Sequence, residues 1–168
     1  MLRNLFGKKD KDKEEKEIVL FAPVSGKVIP LEEVSDPVFS EKMMGDGLAV
    51  DPDEGEVRAP CDAAVIQVFP TKHAIGLKTK NGAEILIHIG LDTVNMKGEG
   101  FEAYVKEGDT VKRGQKLVSF DTSLIREKAA STVIPIIITN GELVQNIEKT
   151  SQSEAVSNET SFLTVTMK

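Results

Sequence analysis

From Ile18 onward the chain is a succession of short apolar runs separated by turn-forming residues, and this restricts what it can fold into. The runs are Ile18–Phe21, Gly26–Ile29, Gly47–Val50, Ala64–Phe69, His73–Thr79, Ile85–Ile89, Lys116–Phe120, Val133–Ile138 and Phe162–Met167. Gly, Pro, Asn and Asp punctuate them, the pattern of an all-β fold. An antiparallel β-sandwich or barrel-sandwich is expected, with two short helices. One helix is predicted over Leu124–Ala129, with Asp121 as its N-cap, and the other over Glu142–Glu148. Thr150–Ser161 is polar and reads as a surface loop. With 168 residues the chain has room for one compact core, so residues 17–168 are expected to form a single domain.

A weak internal echo points to duplication within that domain, with coincidence as the rival reading of a single octet. Ala22-Pro23-Val24-Ser25-Gly26-Lys27-Val28-Ile29 and Ala59-Pro60-Cys61-Asp62-Ala63-Ala64-Val65-Ile66 share the pattern A-P-x-x-(small)-x-V-I. Two related β modules, a duplicated hybrid motif, would account for it. Residues 105–117 add the spacing V-x-x-G-D-x-V-x-x-G-x-x-L, a hairpin-like turn that also occurs in biotinyl and lipoyl carrier domains.

Residues 1–16 differ from the rest. Lys8–Glu17 is almost entirely charged with both signs mixed, so a flexible tail is expected. Leu2, Leu5 and Phe6 at helical spacing, with Arg3, Lys8 and Lys9 near them, allow at most a weak peripheral membrane contact. No apolar run approaches the roughly 18 residues of a membrane span, and no signal peptide is visible. Cys61 is the single cysteine, which excludes a disulfide framework and fits a reducing compartment. A cytoplasmic location is expected. The formal charge of −6 argues against nucleic acid as a partner and favours a basic protein surface.

The chain has two histidines, both in one predicted hairpin. Asn81-Gly82 is a strong two-residue turn signal. With that loop, Thr79 pairs with Glu84, Leu77 with Leu86 and Ile75 with His88, and His73 falls on the same face as His88. A loop one residue longer would send the rings to opposite faces. On the residues alone, three readings of the pair stand. The rings could be ordinary half-buried side chains or two ligands of a metal. They could also be a nucleophile and its helper, because a neutral imidazole can accept a phosphoryl group near pH 7 while a second ring steadies the oxygens.

Three stretches decide among these by resemblance: Asp36–Val50 (DPVFSEKMMGDGLAV), Thr71-Lys72-His73-Ala74, and His88–Phe101 (HIGLDTVNMKGEGF). Through them, residues 18–168 resemble the glucose-type IIA component of the bacterial phosphoenolpyruvate-dependent sugar phosphotransferase system. The resemblance implies a phosphocarrier, with His88 as the phosphoryl acceptor on Nε2 and His73 as the ring that hydrogen-bonds the phosphoryl oxygens. It implies that Thr71 orients His73 and that the Gly90 carbonyl holds Nδ1–H of His88. Asp36 and Asp92 match acidic residues flanking the site, and Phe39 and Val94 part of an apolar rim. The implied partners are the histidine phosphocarrier protein as donor and the IIB component of a sugar permease as acceptor. No cofactor or metal is implied, and a free-standing monomer is expected. Asn95 departs from the Glu of some relatives.

Three other readings are weaker. A zinc endopeptidase of the cell-wall type needs an H-x-H motif with further ligands, and two histidines are too few. A purely regulatory binding module, or a zinc site completed by a partner's carboxylate, could coexist with carriage.

Overall fold

Ile134–Ile138 has no polar position, and every residue of it is buried. Such a strand must lie inside a sheet covered on both faces. The computed structural model describes residues 16–168; the expected tail and its membrane contact lie outside the described residues, apart from Lys16. In chain order the strands are β1 (Glu17–Phe21), β2 (Gly26–Pro30), β3 (Asp46–Pro52), β4 (Glu56–Arg58), β5 (Ala63–Val68), β6 (Ala74–Thr79) and β7 (Glu84–His88). Then follow β8 (Phe101–Ala103), β9 (Thr110–Val111), β10 (Lys116–Phe120), β11 (Ile134–Ile138), β12 (Val144–Lys149), β13 (Glu154–Ala155) and β14 (Ser161–Met167). Two short α-helices, α1 (Pro37–Ser40) and α2 (Thr122–Lys128), lie between strands. The α2 helix begins where the sequence places it, with Asp121 Oδ1 accepting from the Leu124 N–H at 3.1 Å.

The strands form an antiparallel sandwich. An eight-stranded sheet runs β13-β2-β3-β11-β7-β6-β5-β9, and two three-stranded sheets run β1-β14-β12 and β4-β10-β8. All three sheets feed one large core, to which Leu20, Val57, Ile87, Leu117, Ile136 and Phe162 contribute. A smaller apolar cluster of Leu31, Phe39, Ala49, Ala74, Leu86 and Ile137 covers the opposite face of the large sheet. Pro135, which has no N–H to give, pairs with Ala49; on the other side the β11–β7 ladder begins one residue later, at Ile136.

The sandwich is built twice over. Read outward from β11 and β7, the large sheet has the same plan on both sides. Gly26↔Ala155 and Lys27↔Glu154 in one half correspond to Ala63↔Val111 and Ala64↔Thr110 in the other. The two octets of the sequence echo are also clasped together, each by the residue that precedes the other. Phe21 N–H donates to the Pro60 carbonyl at 2.9 Å, and Arg58 N–H donates to the Pro23 carbonyl at 2.8 Å.

Three expectations need correction. Glu142–Glu148 is not a helix: a single 3-10 turn (Gly141–Leu143) leads into β12, which pairs with β14. Val144 and Ile147, three residues apart, pack on the core as they would in a helix. They do so because the β12 register shifts between Val144 and Asn146, and such an irregularity changes which residues face inward. The hairpin loop is also longer than two residues. Ala74 pairs with His88, Ile75 with Ile87 and Lys78 with Glu84, one step from the predicted register. Thr79 N–H closes the loop on the Ala83 carbonyl at 3.0 Å, leaving Lys80, Asn81 and Gly82 as the turn. Thr79 and Asn81 bond to each other, and Asn140 Nδ2 donates to the Gly82 carbonyl at 2.9 Å. These side-chain bonds hold the wider loop. The polar segment read as a surface loop also contributes β13 and the buried Ala155 to the sheet.

Candidate active site

The β7 strand ends at His88, on the sheet face covered by the smaller cluster, and Ala74 is its direct partner across the ladder. His73 therefore stands opposite Ile89, whose N–H it receives at 2.6 Å. A regular strand would turn its ring away from His88. His73 instead precedes β6 and follows a tight turn in which Lys72 takes a left-handed φ of 61° and donates to the Phe69 carbonyl at 2.7 Å. Departure from the pleat at this turn brings the rings together despite the shifted register. Their centroids are 5.0 Å apart, with planes at 78°.

Each ring is fixed at Nδ1. The Gly90 carbonyl lies 2.8 Å from His88 Nδ1, and a carbonyl can only accept, so Nδ1 carries the hydrogen and Nε2 of the neutral ring keeps its lone pair. Thr71 Oγ1 lies 2.6 Å from His73 Nδ1. Aromatic neighbours complete the packing. Phe39 sits 5.1 Å from His88 at a tilt, and Phe69 meets His73 edge-on at 5.5 Å. Phe69 was not singled out in the sequence, where it reads as the last residue of a core strand.

The surroundings keep both rings neutral. Burial pushes His73 down to about 4, and the neighbouring His88 adds to the effect. His88 is also lowered from 6.5, chiefly by burial, with the Gly90 carbonyl and the Asp36 charge pulling the other way. The charge of Asp36 thus reaches His88 through space. Its own carboxylate caps α1 by accepting from the Val38 N–H at 3.0 Å. Asp92 is exposed in a left-handed conformation (φ 61°), with no side-chain bond to the turn that follows it. Phe39 is buried, a wall behind His88 rather than part of a rim, whereas Val94 is 51% exposed. Among the described residues no set of three or more His, Cys, Asp or Glu is arranged to hold a metal ion.

A sandwich that presents a neutral imidazole with a free Nε2, and a second imidazole beside it, has the parts of a phosphoryl-group carrier. The comparisons with known proteins agree. Residues 18–144 match the family model described as phosphoenolpyruvate-dependent sugar phosphotransferase system, EIIA 1. The chain is 54% identical over 168 residues to a PTS system glucose-specific EIIA component of Bacillus cereus, covering 100% of both chains. It is 52% identical to the protein so named from Halalkalibacterium halodurans, covering 98% of each. Among solved structures, the glucose permease IIA from Mycoplasma capricolum superposes with a TM-score of 0.79 at 39% identity, covering 89% of this chain and 96% of that one. The chain belongs to the EIIA 1 family of the phosphoenolpyruvate-dependent sugar phosphotransferase system, and is thus a component of a phosphoryl-transfer system for sugars. Among the described residues no helix is long and apolar enough to cross a membrane.

Proposed function

We propose that His88 carries the phosphoryl group, receiving it from the histidine phosphocarrier protein and passing it to the IIB component of a sugar permease. The observation that supports this reading most directly is the bond from His88 Nδ1–H to the Gly90 carbonyl at 2.8 Å, which leaves Nε2 as the nucleophile. In uptake, the Nε2 lone pair forms the new N–P bond while the donor's N–P bond breaks and its electron pair returns to the donor's ring. The His88 ring becomes cationic, and the Gly90 carbonyl opposite Nδ1–H stabilises that charge. A cationic ring is also a good leaving group, so the same bond prepares onward transfer to a nucleophile on IIB, for which we propose a cysteine thiolate.

His73 is the proposed stabiliser. If the Thr71 hydroxyl donates to its Nδ1, Nε2–H is free to donate to a phosphoryl oxygen. Phe39 and Phe69 exclude water from one side of the group, and Val94 adds apolar surface for a partner. Asp36 and Asp92 attract basic side chains of donor and acceptor. The names of the relatives point to glucose as the sugar served. On this reading the protein works in the cytoplasm as a monomer, with residues 17–168 as one carrier domain. The test is mass spectrometry after incubation with phosphoenolpyruvate, enzyme I and the phosphocarrier protein. One acid-labile phosphoryl group is expected on the wild type and none on His88→Gln; a variant that still gains it sinks the assignment.

A further inference from the structure

At the far end of β6 from His73, the solvent face of the large sheet carries a trough. Lys78, Ala64 and Thr110 lie in one row across β6, β5 and β9, and all three are exposed. Just beyond the strand ends, Lys80, Asp62 and Lys112 continue the row pattern. Because Ala64 is small and its neighbours are long, the surface sinks between them. Two adjoining depressions of about 330 and 400 Å³ result, sharing Asp62 and Lys80, with Arg113 on the edge of the second. Such volumes are in the range that holds small ligands.

The charge there runs against that of the whole protein. Four cations surround one carboxylate in a chain whose formal charge is −6. Asp62 is held below the usual carboxylate range, first by the Arg113 backbone N–H at 2.9 Å, then by the charges of Lys112, Lys80 and Arg113. Its nearest ammonium contact is Lys112 at 3.9 Å. Asp62, together with Glu84 across the ladder from Lys78 on β7, does not balance four cations.

The duplicated fold supplies an internal control. The position equivalent to Asp62 in the other half is Ser25, and Ser157 stands where Arg113 does. Ser25 Oγ accepts from the Ser157 N–H at 2.9 Å, the same bond that Asp62 makes to Arg113. A hydroxyl therefore suffices to close this corner of the fold, and Val156 stands in the place of Lys112. Arg113 has a second, structural role, lying 4.0 Å over the Phe21 ring. Lys78 and Lys80 have no ion-pair partner among the described residues. The lysines are additions to a framework that closes without them.

We infer that this trough binds a small organic phosphomonoester, its phosphate held among Lys78, Lys80 and Lys112 and its body lying over Ala64 and Thr110. Lysines are effective point-charge partners for phosphate, and a dianion offsets most of the excess positive charge. Lys78 shares a face with Ala74, the residue opposite His88, four residues and thus about 13 Å further along the strand. At physiological salt that distance exceeds the screening length, so this site is separate from the histidine pair and independent of the reading given to it.

The test is an NMR titration of backbone amides in the full chain at constant ionic strength. The probes are inorganic phosphate, glucose 6-phosphate and, as controls, glucose and sodium chloride. Saturable shifts at Ala64, Lys78, Lys80 and Thr110 with glucose 6-phosphate are expected, weaker ones with phosphate, and none with the controls. In K80Q/K112Q the affinity should fall about tenfold, while K80R/K112R should retain it within about twofold. The amide spectrum of K80Q/K112Q away from the trough should match that of the wild type, which shows that the variant is folded. Saturation by phosphate alone with no gain from the sugar, absence of saturation, or equal binding by K80Q/K112Q would each overturn the proposal. So would saturation of the same amides by an acidic peptide but not by phosphomonoesters, which would make the trough a protein-docking surface.

Discussion

The methyl group of Thr93 lies 2.5 Å from where a Cβ on Gly90 would stand. Thr93 is fully buried and donates its hydroxyl hydrogen to the Ile89 carbonyl at 2.6 Å, so it cannot give way. The Ser131 carbonyl closes the other side at 2.9 Å and also receives the Leu91 N–H at 2.9 Å. Gly90 itself has φ 79°, a left-handed conformation that disfavours a side chain. Gly90→Ala should therefore cost about 2–3 kcal/mol in a urea titration. It should also slow phosphorylation, because the carbonyl aimed at His88 Nδ1 moves. Thr93→Val, which keeps the methyl group and loses the bond to Ile89, should cost about 1 kcal/mol. A Gly90→Ala protein with wild-type stability and rate would refute the idea that this bracket sets the ring.

His73 makes stability depend on pH. Its folded value of about 4 lies below the ordinary 6.5, so below 6.5 the unfolded chain binds a proton that the folded chain does not. The resulting stability is complete above 6.5 and is lost as pH falls toward about 4. The loss should reach up to about 3 kcal/mol. His73→Gln should flatten urea midpoints between pH 7 and pH 4.5 relative to wild type, after the carboxylate contribution common to both is subtracted. Parallel curves for the two proteins would show that His73 titrates normally in the fold.

Much of this arrangement can be read in the chain, and the exceptions have physical causes. The apolar runs become strands because alternate or continuous burial follows from their spacing, and the A-P octets mark the two halves. Asp121 is a legible cap because its function is local. The β12 strand is misread as a helix because a register shift sets Val144 and Ile147 on one face, a fact about its partner β14. The hairpin is misread because Asn140, far along the chain, helps to hold the loop at Gly82. Both histidines are visible as a pair, yet the predicted register that would place them together is one step off. They meet through the left-handed turn at Lys72, which no periodicity reveals. Phe69 against His73 is hidden for the same reason.

The Thr71 hydroxyl offers a cleaner test of the helper role than removal of the ring. Thr71→Val keeps the shape and loses the 2.6 Å bond to His73 Nδ1. If that bond keeps the hydrogen on Nε2, nitrogen shifts of the His73 ring should move toward a mixture of tautomers. Uptake of the phosphoryl group by His88 should be within about threefold of wild type, and onward transfer to IIB should slow about tenfold. His73→Gln should show the same split, with uptake retained and onward transfer severely reduced. Equal loss of both steps in either variant would give His73 a different role.

The duplicated fold predicts a stabilising substitution. Gly114 N–H donates to the Ala59 carbonyl at 2.9 Å, and Asn158 N–H donates to the Ala22 carbonyl at 2.9 Å, so the two residues occupy matching corners. Both are left-handed, with φ 84° at Gly114 and 63° at Asn158. One half fills the corner with the residue that tolerates this conformation best, and the other does not. The Asn158 side chain brings a second cost, because its Oδ1 is buried without a hydrogen-bond partner among the described residues. Against this stands the contact of its amide with Gly114, whose Cα region it packs against, and the extra chain entropy of a glycine when unfolded. Relief of backbone strain and of the unpaired oxygen should outweigh these, so Asn158→Gly is expected to raise stability by about 0.5–1 kcal/mol. The measurement is the urea midpoint at pH 7 with an unchanged slope. A lower midpoint would mean that packing across the pseudo-symmetric corner, rather than backbone strain, decides which residue stands there.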